Sequence, residues 1–496
     1  MISKISAVMV ATSVMFAAVA VAQTSPQSAV LPLTSRSPEV VRLLDQAWNL
    51  GLDQVEQVKA IEVLRKVVKI DPGFAMGHEL LAQSSLDPAE QLSEQKRAFA
   101  TRSHASSGER LVIEWFQNAA DRKLITAITK MNDVLMQYPH DKWVVFLANK
   151  WLTAQTQYER AALVYERSGI TDSPGLMNNT AYTYAYMRQF DKAFALMDKY
   201  IAALPNDANP QDSYAEILRM AGHFDQAIEH YRAALAINPE FYSSQFGIAD
   251  TYSLMGDQVR ARKEYMAAFR KFSLPELQRI QWRTCEGITW VREGDLEGAD
   301  KAFQAIAGYA HSKHMSQVEA DTYRQMGMYQ QNPKQALVFL NKAEAAIHEG
   351  KNAMPSALQQ ELAQILRARV ELAVRMGDMR TAHSILAHLA KMSQSSDDKL
   401  IETAYHAAAG ASLVSEHKYQ EAIAHLEEDV NNPLSLQLLA MAYQKMGDTA
   451  NAQNTSETLA NLNDPTLEQA LVVPTFRKCY RDPSCTSSMK NASLKQ

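Results

Sequence analysis

A short stretch that recurs at a fixed interval constrains this sequence more than any other feature. Residues 187–193 (MRQFDKA) are followed by residues 221–227 (AGHFDQA) and residues 255–261 (MGDQVRA). The alanines that close these stretches lie 34 residues apart in both steps, and Ala161 and Ala127 continue the series toward the N-terminus. An interval of this length is typical of two helices joined by a turn, and such pairs bury their apolar faces by stacking.

Turn and stop signals follow the same interval. Gly222 and Gly256 precede the second helix of their pairs, where glycine can adopt the left-handed conformation that ends a helix. Pro205 and Pro239 close the second helices, because proline cannot continue a helix. No strand-like alternation bounded by hairpin signals occurs, so the sequence predicts an all-α chain. The same signals recur at Pro72, Pro139, Gly294, Gly377 and Gly447.

Taken together, these spaced residues resemble the tetratricopeptide repeat. That family has a small residue in the first helix, two alanines and an aromatic residue in the second, and a proline at the end. The repeat that ends at Pro239 has Ala215, Ala227, Tyr231 and Ala234 in those places. The resemblance implies an α-solenoid, a right-handed superhelix of stacked helix pairs.

The interval loosens in the C-terminal part of the sequence. The alanines expected in the second helices there have spacings from 30 to 46 residues, so only helix-pair stacking is predicted for that part. These alanines are Ala299, Ala336, Ala382, Ala422 and Ala452. The predicted segments are a signal peptide (1–22), a flexible lead-in (23–36), an N-terminal array (37–290, with the best register over 108–272), irregular helix pairs (291–462), and a capping helix with a flexible tail (463–496).

The first 22 residues have the features of a cleaved secretory signal peptide. Lys4 supplies a positive start, an apolar run follows, and small residues stand at Ala20 and Ala22 before the expected cleavage point. An uncleaved membrane anchor is the alternative interpretation, although the run is barely long enough to span a bilayer. Cleavage predicts a periplasmic or secreted protein that has no membrane span once the signal peptide is removed.

Export would place the three cysteines in an oxidising compartment. Cys479 and Cys485 flank a turn-prone Asp-Pro pair, so a local disulfide is possible. Two free thiols in a frayed tail are the alternative, since sequence alone cannot test the geometry that a disulfide requires. Cys285 lies in a helical stretch and is expected to be buried.

The sequence shows no sign of catalysis, cofactor or nucleic acid binding. A net charge of −5 without a basic stripe argues against a nucleic acid partner. No nucleophile elbow, phosphate-binding glycine loop or haem attachment motif occurs. His311 and His314 could share a helix face, but no further histidine or cysteine completes a zinc site. We therefore predict a protein that is not an enzyme and needs no metal or cofactor.

The resemblance also implies a concave groove, lined by the first helix of each pair, that binds a protein or peptide. The basic clamp that some family members use for C-terminal carboxylates is not evident, because Gly175, Asn209 and Ser243 occupy its places. Tyrosine and asparagine in the predicted groove suit an extended peptide or a partner helix. The predicted groove residues are Asn178, Asn179, Tyr182, Tyr186, Asn209, Asp212, Glu216, Arg219, Phe246, Asp250 and Ser253.

Three functional hypotheses follow from this sequence. The first is an exported scaffold or adaptor that binds an unidentified protein or peptide through the groove. The second is a regulatory or substrate-presenting subunit of an envelope biogenesis or secretion complex. The third is an unrecognised envelope hydrolase or metal enzyme in the irregular part, motivated only by His311 and His314.

Overall fold

A computed structural model describes residues 30–350, 353–396 and 398–481 of the chain, and these residues contain helices but no strand. Twelve consecutive helix pairs are followed by one single helix. The first six pairs are α1 (Pro38–Trp48) with α2 (Gln57–Ile70), α3 (Ala75–Ser84) with α4 (Pro88–Thr101), α5 (Ser107–Ala120) with α6 (Leu124–Gln137), α7 (Lys142–Ala154) with α8 (Tyr158–Ser168), α9 (Pro174–Tyr186) with α10 (Phe190–Ala203), and α11 (Ala208–Ala221) with α12 (Phe224–Ile237).

The remaining pairs continue the stack, and the single helix ends it. They are α13 (Tyr242–Met255) with α14 (Gln258–Lys271), α15 (Glu276–Glu293) with α16 (Leu296–Ser312), α17 (Ser316–Tyr329) with α18 (Pro333–Glu349), α19 (Pro355–Arg375) with α20 (Met379–Ser396), α21 (Lys399–Ser415) with α22 (Tyr419–Leu426), α23 (Pro433–Met446) with α24 (Thr449–Ala460), and then α25 (Leu467–Arg481). The predicted fold class, an all-α solenoid of stacked helix pairs, is confirmed.

Small residues stand where the helices cross. Ala161, Ala193, Ala227 and Ala261 are all fully buried, as nesting requires. Glycine allows a still closer approach in α13, since a Cβ at Gly247 would lie 2.3 Å from the ring of Tyr231 in the preceding helix. The alanines expected in the looser part are buried in the same way: Ala299, Ala336, Ala382 and Ala422 are 0% exposed, and Ala452 is half-buried.

The turn inside most pairs uses a left-handed residue. Gly222, Gly256 and Gly294 have positive φ angles, and the backbone amides after them bond back to the first helix. Several pairs place a non-glycine residue at the equivalent position, as at Thr156 and His417, where the left-handed conformation is less favourable. The prolines at the ends of the second helices also act as predicted: α2, α6, α10 and α12 each end two residues before one.

The stack winds back on itself. α5 in the third pair contacts α19 in the tenth pair, so one turn of the superhelix is complete within seven pairs. The two elements meet beside a cavity of about 240 Å³ lined by residues that include Gln95, Trp151 and Gln360. The inner face of the array is therefore closed where α5 meets α19.

The C-terminal segment packs against the middle of the array as well as against its end. After α24 the chain runs through residues 461–466 and continues as α25, which packs against α23 and α24 and also against α15. Leu467 and Ala470 join a core cluster with Ile288 and Phe303, whereas Val472 and Val473 cover Leu436 near the end of the stack. The predicted capping helix thus also connects the last pairs to the middle of the array.

The N-terminal lead-in is packed from its first described residues. Leu31 is buried, and its backbone amide donates a 2.9 Å hydrogen bond to Asp141. The backbone amide of Thr34 donates to Glu109 over the same distance. The predicted signal peptide and the tail beyond residue 481 lie outside the described residues, and none of the described helices is long and apolar enough to cross a bilayer.

Candidate functional site

Three neighbouring first helices, α9, α11 and α13, bring the predicted groove residues together. The hydroxyl of Tyr182 donates to Glu216 over 2.9 Å, and Arg219 donates to the same carboxylate over 2.9 Å. Arg219 also donates to Asp250 over 3.2 Å, and Asp250 accepts a bond from Tyr265 of α14. These residues form a continuous polar ladder across four helices, which we call the groove ladder.

The asparagines of the groove are occupied with their own array. Asn179 donates its amide to Asn149 of α7 over 2.6 Å, and Asn209 donates to the hydroxyl of Tyr200 over 2.7 Å. Asn178 is buried, and its amide oxygen has no hydrogen-bond partner among the described residues. The amides therefore serve mainly to position neighbouring helices in this conformation.

Two carboxyl groups of the groove are buried deeply enough to raise their pKa values. Asp212 accepts a 2.6 Å bond from Ser244, yet burial raises its pKa to about 7. Burial also raises the pKa of Asp250 to about 6, although Arg219 and the Tyr265 hydroxyl oppose the shift. Because a buried charge is costly unless paired, both groups favour the protonated form more than a surface aspartate does.

Tyr186 is the predicted groove residue that is most open to solvent. Its side chain is 41% exposed and stacks on Tyr158 with 5.4 Å between ring centroids. Asn179, Tyr182 and Glu216 are half-buried. The accessible part of the predicted groove is consequently concentrated on α9 and the edge of α11.

Two predicted groove residues have other roles. Phe246 is fully buried and stacks on Trp282 of α15 with 4.6 Å between ring centroids, so it belongs to the core and not to the groove surface. The resemblance placed Phe246 on the surface of the concave groove, but its large ring fills the space between α13, α14 and α15. Ser253 is also buried and exchanges hydrogen bonds with Gln258, which closes the turn between α13 and α14.

The chain's own C-terminal segment covers the end of the groove ladder. Arg188, in the turn after α9, donates to the carbonyl of Asn461 over 3.0 Å. The amide of Asn463 donates to the carbonyl of Met220 over 3.3 Å. Asp464 lies near Arg219 and Arg188, and burial raises its pKa despite these two charges. This contact between distant parts of the chain covers part of the predicted groove.

A second polar ladder, not foreseen from the sequence, lines the later first helices. Arg324 of α17 pairs with Glu361 of α19 over 2.8 Å, and Arg367 of α19 pairs with Asp429 over 3.0 Å. Glu468 of α25 lies 4.0 Å from Arg324. Burial raises the pKa of Glu361 to about 7. The loose alanine spacing could not assign helix faces here, so no inner-face residues could be named in advance.

The cysteine and histidine predictions have mixed outcomes. Cys485 lies outside the described residues, so its bond to Cys479 stays a prediction. Cys285 of α15 is a free thiol whose pKa is raised by burial. His311 bonds to Glu319 over 3.0 Å, and His314 sits in the following turn. Within the described ranges, no three histidine, cysteine, aspartate or glutamate side chains converge as a metal site would require.

Comparison with known families agrees with the geometry. The profile of the tetratricopeptide repeat family matches residues 211–241, which include α12 and most of α11. The predicted resemblance is confirmed: the chain contains a tetratricopeptide repeat at residues 211–241. The fold of this family is that of a protein–protein interaction scaffold. No curated protein matches the chain in sequence.

Several solved tetratricopeptide-like structures are similar at low identity. A tetratricopeptide repeat protein from Parabacteroides merdae ATCC 43184 is 14% identical, with a TM-score of 0.35, over 54% of this chain and 93% of that one. The APC/C hetero-tetramer Cut9-Hcn1 is 12% identical with a TM-score of 0.40, over 79% and 74%. The human IFIT1 dimer with PPP-AAAA is 13% identical with a TM-score of 0.36, over 86% and 95%. Likeness this weak carries no information about partners.

Proposed function

We propose that this protein is an exported scaffold or adaptor that binds an extended segment of another protein through the inner face of α7, α9 and α11. The groove ladder is the observation that carries the proposal. It links a tyrosine of α9 to a glutamate and an arginine of α11, the next first helix. Repeat proteins use such concave surfaces for binding.

A lysine without a described counter-charge supports the same surface. Lys150 of α7 is exposed to solvent, and its amine donates a 3.4 Å hydrogen bond to the carbonyl of Gln83. No described carboxylate is within ion-pair distance of this amine. Such a cation favours a ligand that carries a carboxylate. Tyr186, exposed on α9, offers contact area at low cost in conformational entropy.

The location of the protein is part of the proposal. The features of residues 1–22 support export to the periplasm or beyond, with a mature chain that begins at Gln23. Sequencing the N-terminus of the protein recovered from the envelope fraction would test this step. A chain that keeps Met1 and stays with the membrane would contradict it.

Affinity capture from native envelope extract tests the binding function. Wild-type protein should retain a stoichiometric partner, and a Lys150→Ala, Tyr186→Ala double variant should retain at least tenfold less. Lys199 is an exposed lysine on α10, a second helix of the array, so Lys199→Ala serves as the matched control and should capture as much as wild type. Equal capture by all three proteins would exclude this surface, and repeated failure of wild type to retain any partner would contradict the function.

A further inference from the structure

A cavity of about 570 Å³ lies at the N-terminal end of the array, between the lead-in, α1, α3, α7 and the segment that precedes α9. Its volume is within the range of sites that hold small molecules in proteins. Much of its wall is apolar and well packed, since Leu44, Met76 and Leu80 line it and are each no more than 3% exposed. The cavity is therefore a preformed space with apolar walls.

Two tryptophans form an aromatic wall of this cavity. Trp48 and Trp143 pack edge to face with 4.6 Å between ring centroids. The amine of Lys142 lies 4.6 Å from the ring centroid of Trp48 and 3.7 Å from a carboxylate oxygen of Asp45. Indole rings and carboxylates are groups that attract ammonium ions in proteins. The chain's own lysine thus shows which kind of head group this wall can hold.

The charges that line the cavity are mainly negative. Four carboxylates and one amine line it, those of Asp45, Asp53, Asp141, Asp172 and Lys142. Lys142 pairs with Asp45, and two backbone amides donate to Asp141. Neither Asp53 nor Asp172 forms an ion pair with another described residue, and the exposed His140 directs its Nδ1 to a backbone carbonyl 2.6 Å away. Two carboxylates of the cavity therefore lack a counter-charge.

Two polar groups at the cavity are also short of partners. Asp53 is half-buried, and its Oδ1 accepts bonds from the indole of Trp48 over 3.2 Å and from the amide of Gly175 over 2.8 Å. Burial nevertheless raises the pKa of Asp53. Ser173 is 9% exposed, and its hydroxyl has no hydrogen-bond partner in the described part of the chain. Buried hydroxyls are nearly always paired, and a desolvated carboxylate is stabilised by a cation. A protonated amine would supply both partners.

We propose that this cavity binds a small primary amine that carries an apolar group. The ammonium group would pair with Asp53 and donate to the hydroxyl of Ser173, while the hydrocarbon part would contact Trp143. A carboxylate in the same place would be repelled by the unpaired aspartates. Neither Lys150 nor Tyr186 lines the cavity, so this inference does not depend on the proposed function.

Isothermal titration calorimetry of the full chain with octylamine tests this site. Protonated octylamine should bind with a stoichiometry of one. It should bind at least tenfold more tightly than octanol or octanoate, which have the same chain length but carry no positive charge. Shortening the amine to hexylamine should weaken binding about fourfold for each methylene removed, because the cavity buries the hydrocarbon part.

Variants of the two unpaired aspartates separate charge recognition from apolar burial. Asp53→Asn should weaken octylamine binding at least tenfold and Asp172→Asn at least threefold, while octanol binding changes less than twofold. Asp172 is exposed, so its variant keeps the test valid if Asp53→Asn fails to fold. Asp191 is an exposed aspartate on α10 that does not line the cavity, so Asp191→Asn is the matched control and should bind octylamine as wild type does. Equal affinities of wild type for octylamine and octanol, or unchanged octylamine affinity in both cavity variants, would overturn the inference.

Discussion

The two halves of the array reach the same architecture with different helices. From α5 to α14 the helices have 11 to 14 residues, and the alanines repeat at nearly constant spacing. From α15 to α24 the lengths range from 8 to 21 residues. Nevertheless Ala227 in the first half and Ala336 in the second are both fully buried at a helix crossing. The small residue at each helix crossing determines how the helices stack. The lengths of the elements determine how many residues separate one crossing alanine from the next.

The inner faces of the two halves differ more than their cores. Both inner faces contain buried arginine–carboxylate pairs, Arg219 with Asp250 in the first half and Arg324 with Glu361 in the second. Buried ion pairs contribute little net stability but are costly to break. The first half differs in that it also has accessible residues, such as Tyr186 and Lys150.

Removing a large core side chain should have the largest effect, and it should be equal in both halves. Phe246 and Phe303 are both fully buried between helix pairs. Phe246→Ala and Phe303→Ala should each lower the free energy of unfolding by about 3–5 kcal/mol, because each leaves a cavity. Urea denaturation followed by circular dichroism measures this change. A loss of less than about 1 kcal/mol in the free energy of unfolding of Phe246→Ala would indicate that Phe246 lies on the groove surface, as the sequence predicted.

Replacing the small residues at helix crossings with a larger residue tests whether the helices of both halves pack equally closely. Ala227→Leu and Ala336→Leu should each cost roughly 1–3 kcal/mol, since neither crossing has room for a larger side chain. Ala202 is exposed on α10, and Ala202→Leu should change stability by less than about 0.5 kcal/mol. If the Ala336 variant resembled the Ala202 control in the same denaturation assay, the second half would not be a nested stack.

Carboxyl groups with raised pKa values on both inner faces make the stability of the chain depend on pH. The pKa of Asp212 is about 7 in the folded chain, above the value of about 3.9 for an unfolded aspartate. At pH values between these two pKa values, the folded state keeps a proton that the unfolded state releases. This proton stabilises the folded state, and the stabilisation is lost as pH rises toward 7. The Asp212→Asn variant does not undergo this loss. Between pH 5 and pH 8 its free energy of unfolding should therefore rise by on the order of 2 kcal/mol relative to that of wild type.

Glu361 gives the contrasting case, because its pKa is also raised to about 7 but its carboxylate pairs with Arg324. Glu361→Gln should lower stability at pH 7, since it leaves a buried guanidinium with less counter-charge. Thermal unfolding at pH 5 and pH 8 measures both variants. Since both pKa values are raised to about 7, both variants should gain stability relative to wild type between pH 5 and pH 8. The contrast lies at pH 8, where Glu361→Gln should unfold at a lower temperature than wild type and Asp212→Asn should not. A Glu361→Gln variant that unfolds at or above the wild-type temperature at pH 8 would contradict this contrast.

Replacing strained turn residues should have the smallest effect. Thr156 in the first half and His417 in the second have positive φ angles that favour glycine. Thr156→Gly and His417→Gly should each stabilise the chain by about 0.5–1 kcal/mol. Thr129 lies within α6, where the same Thr→Gly change should instead destabilise by about 0.5–1 kcal/mol. Differential scanning calorimetry compares the three variants, and a loss at both turn positions would contradict the common turn geometry.

Local signals predicted most of the fold but little of the site. Ala161, Gly222 and Pro239 act within one or two helices, so their spacing was sufficient to predict pairs, turns and helix ends. The covering of the groove depends on contacts such as Arg188 with Asn461 and Asn463 with Met220, which are 273 and 243 residues apart in the chain. Periodicity carries no information about such contacts. It also does not show how side chains of neighbouring helices pack, and for this reason Phe246, which stacks on Trp282, and Asp250, which pairs with Arg219, were assigned to an open surface.

Hydrogen–deuterium exchange of the full-length chain tests most directly whether the C-terminal segment occupies the inner face of the array. Amides of residues 462–469 should be protected to nearly the same degree as those of α23, because Leu462, Asn463 and Gln469 are buried against other parts of the array. Exchange of this segment within seconds, at the rate of an unstructured peptide, while α23 remains protected, would contradict that arrangement.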